Sequence, residues 1–194
     1  MHALDAGVRV VQYREKTAQF PAQFERTQRL LELTRQAGAL LIVNDSTDLA
    51  AKSDADGVHL GRADGDVAAA RRILISRLIG VSCYNDLDLA QRAVSHGADA
   101  VGFGSMFVST TKPSAVRAPL SLLTNARARW PRQRIIAIGG INPSNIGTVA
   151  RSGAHAAAVI DSIFGADNPA HASRELVRRF EEGRQQHDEQ RRAV

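Results

Sequence analysis

Seven short apolar runs punctuate the chain: Val8 to Val11, Leu40 to Val43, Gly57 to Leu60, Leu78 to Val81, Ala98 to Phe103, Ile135 to Ile138 and Ala156 to Ile160. Amphipathic segments separate most of them, at Ala22 to Ala37, Leu87 to His96, Leu120 to Arg129 and Ser144 to Ser152. A short run that is apolar along its length suits burial on both faces, the condition of a parallel strand covered by helices, so the alternation predicts a parallel α/β sheet. Glycine stands just before the next run in Gln36-Ala37-Gly38, Ser95-His96-Gly97 and Arg151-Ser152-Gly153. There it takes the left-handed conformation that closes a helix and returns the chain tightly. Polar, Gly-rich sequence follows nearly every run instead of gathering at one crevice, which favours a TIM-type (β/α)8 barrel over a doubly wound sheet. A closed barrel needs eight strands, so the expected fold is such a barrel lacking its first strand. Residues 1–166 are assigned to the barrel. Residues 167–194 are assigned to a final helix, with Asn168 as its cap and Pro169 at its first position, ending in a charged, frayed stretch from Gly183.

Without an eighth strand, the edges of the Val8 and Ala156 runs have no partners, and a backbone group that is both unpaired and dry costs about 1–3 kcal/mol. The natural chain is therefore expected to start upstream of Met1, with Met1 to Gly7 being the end of a first helix and its turn.

Composition narrows the function classes. A chain of 194 residues with 44% hydrophobic content can bury one substantial core. No apolar run approaches the ~20 residues that span a bilayer, and the start is not a signal peptide, so a soluble, cytoplasmic protein is expected, with no membrane partner. The lone Cys83 has no partner for an internal disulfide. A formal charge of +5 with only 5% aromatic residues, and with much of the arginine interleaved with acids in helical stretches, reads as a solvated surface and not as a nucleic-acid interface. The six histidines lack paired spacing, which disfavours zinc. The oligomeric state is left open, a homo-oligomer included.

In a (β/α) barrel the C-terminal strand ends form the active face. Gln12, Arg14 and Lys16 alternate within Gln12-Tyr13-Arg14-Glu15-Lys16, so an extended chain puts an amide and two cations on one side, a pattern suited to a diphosphate. The same cations would also blunt an edge strand. Asp45, after Asn44, and Asp64 lie at or after the next two strand ends. Mg²⁺ prefers one or two carboxylates, waters and phosphate oxygens, so these acids beside Arg14 and Lys16 form a metal-diphosphate pattern. Taken singly, Asp45 would cap a helix beginning at Ser46 and Asp64 would open a turn. His59 is read as structural. Further on, Gly139-Gly140 and Ile160-Asp161-Ser162 offer backbone N–H groups for a phosphate, although glycines at a tight turn need only geometry. Ser109-Thr110-Thr111-Lys112 supplies three hydroxyls and a cation, as a solvated linker or as a lid over phosphates.

Taken in order, Gln12 to Lys16, Asn44-Asp45, Gly57-Val58-His59-Leu60-Gly61 with Asp64, Gly80-Val81-Ser82, Gly102-Phe103-Gly104 with Ser109 to Lys112, and Ile138-Gly139-Gly140-Ile141 resemble the thiamine-phosphate synthase family. The resemblance runs from about residue 8 to residue 165. It implies a Mg²⁺-dependent transferase joining 4-amino-5-hydroxymethyl-2-methylpyrimidine diphosphate to thiazole phosphate with release of diphosphate. It makes Gln12, Arg14, Lys16, Asn44, Ser82 and Lys112 contacts to the pyrimidine diphosphate, and gives Asp45 and Asp64 the Mg²⁺. Ser109, Thr111, Gly139, Ile160 and Asp161 would surround the thiazole phosphate. Tyr13, Glu15 and Thr110 complete the substrate-binding motifs, and Arg14, Ser82 and Lys112 are the expected catalytic residues. Three departures stand out: Arg62-Ala63 in place of Gln-Glu, Asp161 in place of Ser, and the missing first strand. The Asp161 carboxylate is expected to turn away from a phosphate or to cap Phe164. The alternatives are a thiazole tautomerase-like enzyme, which needs a general base and no metal pair, and a non-catalytic binder of phosphate ligands.

Overall fold

A computed structural model describes residues 2–108 and 114–192. After the short α1 (His2–Asp5) come β1 (Val10–Tyr13), α2 (Phe20–Gln36), β2 (Leu40–Asn44), α3 (Thr47–Ser53), β3 (Gly57–Leu60), α4 (Val67–Leu74), β4 (Leu78–Tyr84), α5 (Leu87–Ser95) and β5 (Ala100–Phe103). Then follow α6 (Ser121–Arg129), β6 (Arg134–Ile138), α7 (Ile146–Arg151), β7 (Ala156–Ala158), α8 (Asp161–Phe164) and α9 (Pro169–Arg192). All seven strands are parallel and lie in chain order from β1 to β7. That unreversed order winds one way around, as in a (β/α) barrel, and has no switch point at which a doubly wound sheet would place its crevice. Among the described residues β1 and β7 do not pair with each other, so the sheet is a barrel wall lacking one strand.

The two faces of the wall differ. Leu41, Val43, Val58, Leu60, Ile79, Val81, Cys83, Val101, Phe103, Ile135 and Ala137 are buried against the helical layer. Their strand neighbours Gln12, Leu40, Asn44, His59, Ser82 and Ile138 are half-buried or exposed, because the curled inner face opens where a strand is missing. Gly38, Gly97 and Gly153 take the expected left-handed conformation after their helices, at φ 62°, 95° and 94°.

Three features depart from the sequence expectation. Helices α3 and α4 are present where no amphipathic segment was recognised: both are short and begin at side-chain caps, with Ser46 Oγ accepting from Leu49 N at 3.1 Å and the Asp66 carboxylate from Ala68 N and Ala69 N. Strand β1 sits two residues later than the Val8 run and ends at Tyr13, leaving Arg14 and Lys16 on the loop beyond it. Nor is the stretch from Gly183 frayed, since α9 continues to Arg192. It is capped by Asn168 Oδ1, which accepts from His171 N at 2.9 Å, and carries Glu–Arg pairs one turn apart. Gly183 belongs to the packing: a Cβ there would meet Gly147 O at 2.4 Å, so the absence of one lets α9 lie close on α7. With α9 also against α1, the helical layer bridges the side where the sheet is open.

Candidate functional site

Gln12, at the end of β1, donates through Nε2 to Asn44 Oδ1 at 2.9 Å, which fixes the Asn44 amide with its N–H₂ directed elsewhere. Exposure still alternates through Gln12, Arg14 and Lys16 although the strand has ended, so these three are the more exposed residues of the segment. Lys16 Nζ lies 3.2 Å from Asp45 Oδ2. Tyr13 and Glu15 line the same cavity of about 350 Å³, together with Lys16, Gln23, Asn44, Asp45, Ser46 and Leu49. Glu15 is already engaged there: it accepts from Thr17 N and Thr17 Oγ1, both at 2.8 Å, and pairs with Arg26 at 2.9 Å. The hydrogen bonds from Thr17 and the Arg26 charge take its carboxyl down to about 2. Tyr13 packs against the core, and its hydroxyl is buried with no hydrogen-bond partner among the described residues.

Asp45 does not cap α3, because Ser46 does. Its backbone is left-handed, at φ 68°, a conformation Asp tolerates better than most residues. Asp64 closes the turn from Gly61, accepting from Gly61 N at 2.8 Å, and its carboxyl also reaches that of Asp45. Burial pushes the Asp45 carboxyl up, but the Asp64 hydrogen bond, the Lys16 ammonium and the Arg14 charge together hold it below the ordinary carboxylate range. Two acids are thus held side by side by separate loops, with cations around them. Among the described residues no cluster of three or more His, Cys, Asp or Glu could hold a metal. A pair of carboxylates, with oxygens only, suits a magnesium ion that completes its shell from water and phosphate, and does not suit zinc.

Ser82 lies deeper, on β4, and its Oγ is 2.8 Å from His59 Nε2. The imidazole is half-buried, and burial lowers its basicity while the Asp45 charge partly restores it. His59, read from sequence as structural, makes a specific contact that the sequence did not show, with Ser82. Its ring needs the space left by Gly80, directly opposite in register, where a Cβ would come within 2.6 Å of Nδ1; Gly102 on β5 is the next open position. Glycines on two adjacent strands beside a histidine were the available signal. Arg62 also reaches the mouth, with its guanidinium 4.9 Å above the Tyr84 ring.

The second group lies at the ends of β6 and β7. Gly139 and Gly140 have φ of 101° and 61°, and side chains there would collide with Ser105 Oγ and Val108 O, so both glycines are required by packing whatever they bind. Ser162 Oγ donates to Ile141 O at 2.6 Å, tying the two strand ends together. Ile160 is exposed at the start of α8, and the first N–H groups of that helix lie outside its own ladder. The Asp161 carboxylate turns back over Gly165 and makes no cap. Ser109, Thr110, Thr111 and Lys112 lie outside the described residues.

The fold and this mouth define a (β/α)-barrel enzyme suited to anionic ligands. The thiamine monophosphate synthase family profile matches residues 1–163. The chain is 48% identical over 182 residues to the thiamine-phosphate synthase of Halorhodospira halophila, covering 93% of this chain and 87% of that one. A solved thiamine phosphate pyrophosphorylase from Pyrococcus furiosus superposes with a TM-score of 0.87 at 36% identity, over 94% of this chain and 87% of that one. A 3-hexulose-6-phosphate synthase, at TM-score 0.70 and 20% identity over 92% of this chain and 93% of that one, shares the fold. The chain belongs to the thiamine monophosphate synthase family, and its activity is that of a thiamine-phosphate synthase, a transferase. No helix among the described residues is long and apolar enough to cross a membrane.

Proposed function

We propose that the mouth formed by β1 to β4 takes the pyrimidine diphosphate and that the β6–β7 end takes the thiazole phosphate. The observation that carries this division is the meeting of Asp45 and Asp64 beside Lys16 and Arg14, two acids suited to a divalent cation with two cations suited to a polyanion. Mg²⁺ held there by Asp45 and Asp64 would neutralise charge on a departing diphosphate. Arg14 and Lys16 add fixed positive charge at the same place, and Lys112 is assigned to it from the motif alone. Gln12 holds Asn44 so that its amide donors face the ligand. Ser82, steadied by His59, is placed to hydrogen-bond the pyrimidine diphosphate deeper in the site.

In the reaction, the thiazole nitrogen forms a bond to the pyrimidine methylene carbon while the carbon–oxygen bond to diphosphate breaks, and the electron pair leaves with the diphosphate. The electron-rich aminopyrimidine supports positive charge on that carbon, so the protein has mainly to position the nitrogen and stabilise the leaving group. No strong nucleophile is required. A tautomerase would instead need a base at the thiazole; Asp45 and Asp64 belong to the other half of the mouth, and Asp161, at the thiazole end, lies over Gly165.

A coupled assay of diphosphate release with both substrates, with and without Mg²⁺, tests the proposal. Release that needs both substrates and the metal supports it. Isomerisation of a thiazole phosphate without diphosphate release would replace it with the tautomerase alternative.

A further inference from the structure

Two polar pairs at the mouth are built in the same way. Gln12 and Asn44 stand on adjacent strands, β1 and β2, and Gln12 Nε2 donates to Asn44 Oδ1 at 2.9 Å. That contact engages the acceptor oxygen of the Asn44 amide and leaves its N–H₂ for a ligand. His59 and Ser82 repeat the arrangement on β3 and β4, with His59 Nε2 2.8 Å from Ser82 Oγ. Here the ring and the hydroxyl can each donate or accept, so the direction of the bond decides what Ser82 offers a ligand.

The backbone fixes where the ring lies. Asp45 N donates to the His59 carbonyl at 2.8 Å, which ties the end of β3 to the turn carrying the Asp45 carboxylate. In register, His59 stands opposite Gly80 and Ser82 opposite Gly102. The ring occupies the place of the side chain that Gly80 lacks, with Nδ1 2.6 Å from the Cβ position there, and its Cε1 is 3.6 Å from the corresponding point at Gly102. Nδ1 therefore faces glycine backbone and makes no hydrogen bond among the described residues, which leaves Nε2 as the polar contact of the ring. Two reasons set the direction of that contact. If Nε2 accepted from Ser82, the proton of the neutral ring would sit on Nδ1 without an acceptor, and among backbone groups a buried N–H without a partner is rarer than an under-used acceptor. A serine whose proton is spent on the ring would also turn only lone pairs toward an anion.

We propose that His59 is a positioning residue for the pyrimidine diphosphate: its Nε2–H donates to Ser82 Oγ, and the Ser82 O–H is thereby left to donate to a diphosphate oxygen. This role rests on the assignment of Ser82 to that ligand. His59 acts through Ser82 and not on the substrate itself, and Nε2 keeps its proton whether the ring is neutral or carries a second one. Gln12 and His59 then do the same work from behind, so that Asn44 and Ser82 both present donors to one anion. Hydrogen bonds to a charged acceptor are about twice as strong as those between neutral groups, so the direction in which Ser82 points its proton bears on affinity.

The test joins a spectrum to a set of titrations. In the unaltered full chain, nitrogen NMR of the histidine rings should find the His59 proton on Nε2. By calorimetry, His59→Leu and Ser82→Ala should each weaken the pyrimidine diphosphate about tenfold, the effect of one hydrogen bond to a charged group, and the double variant should bind no more weakly than Ser82→Ala alone. His59→Gln, whose Nε2 is also a donor, should keep most of the affinity, and all four variants should bind thiazole phosphate as the unaltered chain does. A proton on Nδ1 with Nε2 bare, a loss in Ser82→Ala without one in His59→Leu, or additive losses in the double variant would overturn the proposal and leave Ser82 its contact. Equal weakening of both ligands in His59→Leu would overturn it too, by making the histidine a support of the whole mouth. No loss in Ser82→Ala would remove the assignment of Ser82 itself, and the role of His59 with it.

Discussion

Both ends of the sheet gather aspartates, but they use them differently. At the lower rim, Asp56 and Asp99 are each satisfied by a strand N–H, and Asp99 also by Arg71. At the mouth, Asp45 and Asp64 are brought against each other, with Lys16 as the near cation. Carboxylates of the first kind hold elements in register. Those of the second bring two acids together beside a cation, at the end where (β/α) barrels place their chemistry.

The comparison breaks most sharply under exchange of Asp for Asn at the two ends. Asp45→Asn is expected to lower turnover by roughly 10²-fold or more, as for loss of an electrostatic contact to developing charge, with an unchanged melting temperature. Asp99→Asn should do the reverse, lowering stability by about 1–3 kcal/mol with turnover per folded molecule retained. Turnover assays and thermal melts of the two variants check this; equal losses of activity would erase the distinction.

Within the mouth, Arg14→Ala and Lys16→Ala should weaken the pyrimidine diphosphate more than the thiazole phosphate when each ligand is titrated by calorimetry. Equal weakening would merge the two proposed pockets.

A smaller effect belongs to the lower rim. His155 is held near 4 against an ordinary 6.5, so the unfolded chain takes up its proton first as pH falls. Its contribution to stability is present above 6.5 and is lost progressively as pH falls from there towards 4. Denaturant melts across that range, in chloride, should show a shallower acid decline for His155→Gln than for the unaltered chain.

The smallest change is expected from Asp161→Ser, since the carboxylate lies over Gly165 and not toward the N–H groups of α8. Thiazole phosphate affinity should stay similar or improve slightly in a calorimetric titration. A large loss would give that carboxylate a direct role.

What the sequence made legible was what repeats. Seven apolar runs gave the seven strands, and the glycines at 38, 97 and 153 gave three helix ends, because burial on two faces and left-handed backbone each leave a local mark. Helices α3 and α4 were not recognised as amphipathic segments although the shorter α7 was, and what marks their starts is the pair of side-chain caps, Ser46 and Asp66. At the site, alternation found Gln12, Arg14 and Lys16, and strand-end position found Asp45 and Asp64. Neither could show that Ser46 relieves Asp45 of capping, that Thr17 and Arg26 occupy Glu15, or that Gly80 makes room for His59. Those depend on which loops meet. The continuation of α9 past Gly183 was hidden for the same reason, because only contact with Gly147 explains a glycine in mid-helix.

The central claim, that the carboxylates meeting at the mouth serve a metal, is tested most directly by measuring diphosphate release from both substrates across Mg²⁺ concentration, in the unaltered chain and in Asp64→Asn. Release in the unaltered chain should depend on Mg²⁺, and Asp64→Asn should need a much higher Mg²⁺ concentration to reach half of its own maximal rate. An Asp64→Asn enzyme with the same Mg²⁺ dependence and near-unaltered release at limiting metal would contradict the account.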